Sequence, residues 1–229
     1  MPGILNRSSA FSYHCHACGR CCHDKRIQTN PYELLRLSRN RGLPTGDFIP
    51  RYLETAGPYL RKRESGACIF LEDRHCGVHQ DRPLACRTYP LGRWVSGEWI
   101  ETFRELKAHP QSEGAYGLSG TVAQFLVEQG AMPFIDAADR YQALFYRMLE
   151  ALRQAFSTDA TLADDARAAI KADQKQNANC LVEWLDVDRA VDLYCRCKEL
   201  SVSKDMDEIM TLHILSIDEW LKKIGGNEP

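Results

Sequence analysis

The sequence predicts an α+β protein, mainly α, in which a small cysteine region with short β-hairpins is followed by a helical C-terminal half. Three observations carry that expectation. Seven of the ten cysteines fall between Cys15 and Cys86, with the other three at Cys180, Cys195 and Cys197. Residues 93–100 read as a hairpin turning at Ser96-Gly97. Beyond Gly120 apolar residues recur at intervals of three and four. These features place one domain at residues 11–103 and a helical region packed on it at 121–226.

Taken in order, residues 11–28 show no hydrophobic period, so they are expected to form a loop shaped by ligation rather than by burial. Thr29 or Asn30 can then cap a helix that has Pro31 in its first turn and ends at Gly42. A short second helix is expected over about 47–55, with Thr45 as a possible cap and Pro50 in the first turn, where proline is tolerated. From Tyr59 to Phe103 short runs broken by glycine and charge suggest a β-rich stretch. Residues 104–120, with Pro110, Gly114, Gly117 and Gly120, read as a connection.

In the second half, Tyr141, Leu144, Phe145, Met148, Leu149, Leu152 and Phe156 form one apolar stripe on a long helix, expected to be core. Further helices are expected near 162–173, 179–199 and 205–224, the last with Ser216-x-x-Glu219 as a possible capping box.

Composition narrows the function classes. With 44% hydrophobic and 26% charged residues, the chain has neither the polarity of a disordered protein nor the apolar runs of a membrane span. The first fourteen residues lack the basic start and apolar stretch of a signal peptide, which points to the cytoplasm. Residues 1–110 hold 17 Lys and Arg against 11 Asp and Glu, yet the longest basic run is Arg61-Lys62-Arg63. Nucleic acid is therefore not the expected partner; a redox or protein partner is.

In a reducing compartment clustered thiols signal metal binding or redox chemistry before cross-linking. Cys15, Cys18, Cys21 and Cys22 form a C-x2-C-x2-C-C run in which Gly19 allows a tight turn. Cys68, Cys76 and Cys86 can supply further ligands, making all seven candidate metal ligands and the region a metal-stapled one. All-thiolate ligation suits zinc and iron–sulfur clusters and disfavours magnesium or calcium. The two-residue intervals followed by a remote cysteine favour [4Fe-4S] over zinc.

Seven thiols exceed the four that one such centre needs. One cluster with spare thiols, two centres, or one metal beside a redox-active pair all remain open. At least four of the seven should converge around one point. Arg20, Arg82 and Arg87 adjoin ligand candidates and are placed as cofactor-binding residues that offset thiolate charge. His75 or His79 could complete a second zinc site. The radical S-adenosylmethionine spacing C-x3-C-x2-C is absent, because Cys18 and Cys22 are followed by Lys25 where the third cysteine would stand. Cys195-Arg196-Cys197 lies on a predicted helix, where its two side chains diverge; Cys180 and Cys195 read as small buried hydrophobes.

The pieces Cys15–Cys22, Gly66-Ala67-Cys68-Ile69-Phe70-Leu71, Cys76-Gly77-Val78-His79 and Arg82-Pro83-Leu84-Ala85-Cys86-Arg87-Thr88-Tyr89-Pro90 resemble the bacterial YkgJ-type cysteine-cluster proteins. These are described as a zinc- or iron-chelating domain with a CxxCxxCC signature, and flagellin lysine N-methylase is related to them. The resemblance implies a cytoplasmic metal or iron–sulfur protein whose seven cysteines bind the metal. It implies little about a reaction. His79 stands where relatives often carry tyrosine, and Ser112 lies in a loop where many relatives carry one further cysteine.

The leading function is a thiolate-ligated centre with a redox or electron-transfer role. The alternatives are a zinc-stapled structural or interaction protein and a protein-lysine methyltransferase-like enzyme. The last lacks support in Gly114-x2-Gly117-x2-Gly120, which no β-α alternation surrounds.

Overall fold

A computed structural model describes residues 3–16, 18–55, 57–155 and 184–224. In chain order its elements are β1 (Ala10–His14), α1 (Pro31–Asn40), α2 (Thr45–Tyr52), β2 (Leu71–Glu72), β3 (His75–Cys76), α3 (Leu84–Arg87), β4 (Leu91–Val95), β5 (Glu101–Glu105), β6 (Ala115–Thr121), α4 (Val122–Glu128), α5 (Met132–Ala155), α6 (Val187–Lys198) and α7 (Met206–Ile224). Short 3-10 turns occupy Arg20–Cys22 and His79–Asp81. The chain divides into two units, residues 1–29 with 52–135, and residues 30–51 with 136–229.

The first unit is built from antiparallel pairs. β4 and β5 form the expected hairpin, with Arg93 opposite Phe103, but its connection is longer than the Ser96-Gly97 turn. Ser96 closes it, its hydroxyl accepting from the amides of Glu98 and Ile100. β2 and β3 pair Leu71 with Cys76.

β1 pairs with β6, a strand where a connection is expected from the sequence. Its alternation is hidden because the strand is glycine-rich and mostly exposed, so no apolar face marks it. The glycines serve close approach: a methyl group at Gly117 would stand 2.6 Å from the Ser12 hydroxyl. The same pairing makes the start of the expected 11–28 loop a strand.

The core of this unit gathers Phe11 of β1, Leu91 of β4, Phe103 of β5 and Val122, Phe125 and Leu126 of α4, with Phe11 and Phe125 meeting edge to face at 5.1 Å. α4 begins with a reciprocal cap between Thr121 and Gln124, which fixes where β6 ends.

In the second unit α1 starts as expected, with Asn30 and Glu33 forming a capping box ahead of buried Leu34, Leu35 and Leu37. α2 spans 45–52 rather than 47–55, so Pro50 lies inside the helix. Thr45 is not its cap. Its hydroxyl donates to Asp186 and its amide to Asp188, and Arg39 also pairs with Asp188.

Cys195 is buried with Leu35, Val187, Val191 and Ile209, as expected of a small hydrophobe, while Cys197 is exposed. Cys180 and the helix expected at 162–173 lie outside the described residues. The proposed Ser216 cap is corrected: Ser216 sits within α7 and its hydroxyl donates to the His213 carbonyl. The helix is capped instead by Asp205, whose carboxylate accepts from the amides of Asp207 and Glu208. Of the α5 stripe, Tyr141 and Leu144 are buried, but Phe145 is 48% and Leu149 39% exposed. No helix of the described residues is long and apolar enough to cross a membrane.

Candidate metal centre

The C-x2-C-x2-C-C run turns at Gly19, whose φ of 71° is left-handed, as only glycine adopts without strain. The 3-10 turn that follows carries Cys21 and Cys22, closed by the Cys22 amide donating to the Gly19 carbonyl at 3.0 Å. His23 returns its Nδ1 to within 3.2 Å of the same carbonyl.

The two cysteine groups are stitched together by backbone. The Cys68 amide donates to the Cys22 carbonyl at 2.7 Å, the Asp24 amide to the Gly66 carbonyl at 3.0 Å, and His23 bridges Ala67. Gly19 also packs beside the β2–β3 turn, where a methyl group would lie 3.3 Å from the Arg74 carbonyl. Cys76 enters on β3, and Cys86 on α3 with its amide donating to the Pro83 carbonyl.

None of the nine described cysteines is in a disulfide; Cys15 is exposed, and Cys18, Cys21, Cys22, Cys68, Cys76 and Cys86 are half-buried. The thiols influence one another. A hydrogen bond with Cys22 brings the Cys21 thiol down to about 7. The same bond, with burial and the charges of Cys21, Cys86 and Cys76, pushes Cys22 up. Burial raises Cys68, with smaller upward contributions from Cys76 and Cys21.

The structure thus brings sulfurs from both groups into one neighbourhood. It does not assemble them into a ligand shell: among the described residues no three His, Cys, Asp or Glu side chains stand as a set for one ion. Among the described residues, the expected convergence of four sulfurs on a point is not seen. Cys21 and Cys22 occupy successive positions of one turn and their thiols hydrogen-bond each other. The donor chemistry nonetheless fits a soft cation, being thiol from every element that contributes.

The three arginines fare differently. Arg82 lies where the charges of Cys86, Cys76, Cys15 and Cys21 all reach it, although burial is the larger influence and lowers its pKa. It donates to the His79 carbonyl at 2.6 Å and to the Gln129 side chain at 3.0 Å. Arg87 is buried, donates to the carbonyls of Arg82, Gln129 and Gln80, and stacks on Phe134 at 3.9 Å. Arg20 is exposed at the start of the 3-10 turn.

His79 faces Arg82 through Nδ1 at 3.3 Å, and burial with the Arg82 and Arg87 charges lowers its pKa. His75 pairs with Glu72 at the exposed end of β3, and His14 and His16 stack edge to face.

Sequence reasoning missed the aromatic wall beside these thiols. Tyr13 meets Tyr89 at 6.2 Å and Tyr116 at 5.1 Å, both edge to face. Burial raises Tyr13 and Tyr89; the charges of Cys15 and Cys21 raise both further, and that of Cys18 also raises Tyr89. Gln129, which holds both Arg82 and Arg87, gave no signal in sequence; Tyr89 was visible only as part of the run Arg82–Pro90.

Residues 14–108 match the CxxCxxCC family model. That model is described as "Putative zinc- or iron-chelating domain", and its span encloses all seven clustered cysteines. The CxxCxxCC domain is therefore a metal-binding, cysteine-cluster segment, with zinc or iron as the ion its description names. No curated protein and no solved structure matches the chain.

Proposed function

We propose that the CxxCxxCC domain holds a [4Fe-4S] cluster through thiolates drawn from Cys15, Cys18, Cys21, Cys22, Cys68, Cys76 and Cys86, and that it passes electrons to a protein partner. The observation that carries this reading is the joining of the two cysteine groups. Backbone pairing of residues 22–24 with 66–68 brings thiols remote in sequence into mutual electrostatic reach.

Bound there, the cluster would supply one-electron chemistry. The chain supplies the sulfurs, excludes part of the solvent around the six half-buried thiols, and sets a cation, Arg82, in electrostatic reach of three of them, Cys21, Cys76 and Cys86, and of the exposed Cys15. A cation there offsets the negative charge of a thiolate set and favours its reduced form.

Anaerobic purification followed by iron, sulfide and zinc analysis tests the reading. About four irons and four sulfides per chain, with a brown colour and broad absorption near ~400 nm, are expected. A colourless protein holding zinc overturns the cluster and makes the centre a structural staple.

A further inference from the structure

Tyr89 carries an unsatisfied polar atom at the edge of the thiol neighbourhood. Its hydroxyl oxygen is shielded from solvent and makes no hydrogen bond among the described residues. The backbone of His109 lies close enough to lower its pKa, as a donor to the oxygen does, and offers the hydroxyl proton no acceptor. Its ring is fixed by the edge-to-face contact with Tyr13, and the Lys25 ammonium lies 5.7 Å from its centroid. Cys15, Cys18 and Cys21 are near enough for their charges to act on it.

Tyr13 is the informative contrast, for it shares two of those cysteine neighbours but its hydroxyl is not among the buried polar atoms left without a partner. A buried hydroxyl without an acceptor is costly, so an acceptor belonging to the working state is expected. A thiol sulfur is a weak acceptor, whereas a metal-bound thiolate carries the negative charge that makes it a good one.

We propose that Tyr89 is a positioning residue of the metal centre, its hydroxyl donating a hydrogen bond to a ligand sulfur of the Cys15, Cys18 and Cys21 group. The inference rests on the metal-centre reading and holds for zinc or iron alike. Hydrogen bonds to ligand sulfurs raise the reduction potential of a cluster and steady the ligands of a closed site, so one phenol acts on either centre.

The test compares the full-length protein with Tyr89→Phe and Tyr13→Phe, each stripped of metal and reloaded with Co(II) or Zn(II). Tyr89→Phe is expected to move the sulfur-to-cobalt charge-transfer band to lower energy, since the thiolate loses a donor. It should also weaken Zn(II) in chelator competition by about 10–100-fold. Tyr13→Phe should keep the wild-type band and affinity.

In the wild-type protein, Zn(II) uptake should shift tyrosine absorbance to the red, a readout that stands even if Tyr89→Phe does not fold. A Tyr89→Phe band and affinity equal to wild type, or no tyrosine shift on Zn(II) uptake, overturns the assignment while leaving metal binding intact. A wild-type protein that takes up neither ion refutes the metal-centre reading and the Tyr89 assignment with it.

Discussion

The Tyr141 hydroxyl and the His213 Nδ1 stand 2.9 Å apart, with both side chains buried in the second unit. Burial pulls the His213 pKa down to about 4, opposed by the backbone of Trp184. The imidazole is therefore neutral in the folded chain at pH 7. Below its unfolded value of about 6.5 the unfolded state takes up the proton first. Stability contributed by this group is fully present above about pH 6.5 and lost as pH falls toward 4, by about 3 kcal/mol in all. Urea denaturation from pH 7 to pH 4 should show this slope, and His213→Gln should flatten it.

Arg87 is a structural clamp before it is anything else. Its planar fork reaches three backbone carbonyls, one of them that of Arg82. Arg87→Lys cannot reproduce three divergent bonds with one ammonium and should destabilise the first unit by about 2–4 kcal/mol. Denaturant midpoints followed by Trp94 and Trp99 fluorescence check this; a lysine variant as stable as wild type would remove the clamp.

Gly114 lies against Tyr13, so that a methyl group there would overlap the tyrosine hydroxyl. Gly114→Ala should push the phenol away from Ser112 and strain the β1–β6 pairing at the His14 and Ala115 end, costing about 1–3 kcal/mol. Tyr13→Phe, which removes the nearest of the clashing atoms but keeps the ring carbons behind it, should recover part of that loss in the double variant. Additive losses would place the strain elsewhere.

Metal removal should loosen the segments that carry the thiols and spare those that do not. On chelation, amide hydrogen exchange is expected to quicken over 66–79, where β2 and β3 are only two residues long and cannot persist unaided. Exchange in α6 and α7 should stay unchanged, since those helices hold their own apolar core around Val187, Val191 and Ile209.

What the sequence discloses depends on whether a feature is written in residue type or in packing. The cysteine spacing, the Asn30 cap and the hairpin about Ser96 are local and chemical, and each can be read directly. β6 cannot, because Gly117 makes room for the Ser12 hydroxyl and Gly120 takes a positive φ, and a mostly exposed strand shows no apolar alternation. The Tyr89 hydroxyl is a further case. Its motif was legible, but a lack of hydrogen-bond partners is a property of surroundings that no spacing records. Likewise Ser216 and Glu219 carry the letters of a capping box, while the first turn of α7 lies ten residues earlier, at Asp205 and Met206.

The β1–β6 pairing bears on how the molecule can be cut. The family match stops at residue 108, whereas the strand that fastens Ala10–His14, immediately before Cys15, begins at Ala115 and leads into the helix that packs on Phe11. A fragment trimmed to the homologous segment would leave its leading strand unzipped. An expression boundary drawn past Ile135, where the first unit ends, keeps that strand and its helix together.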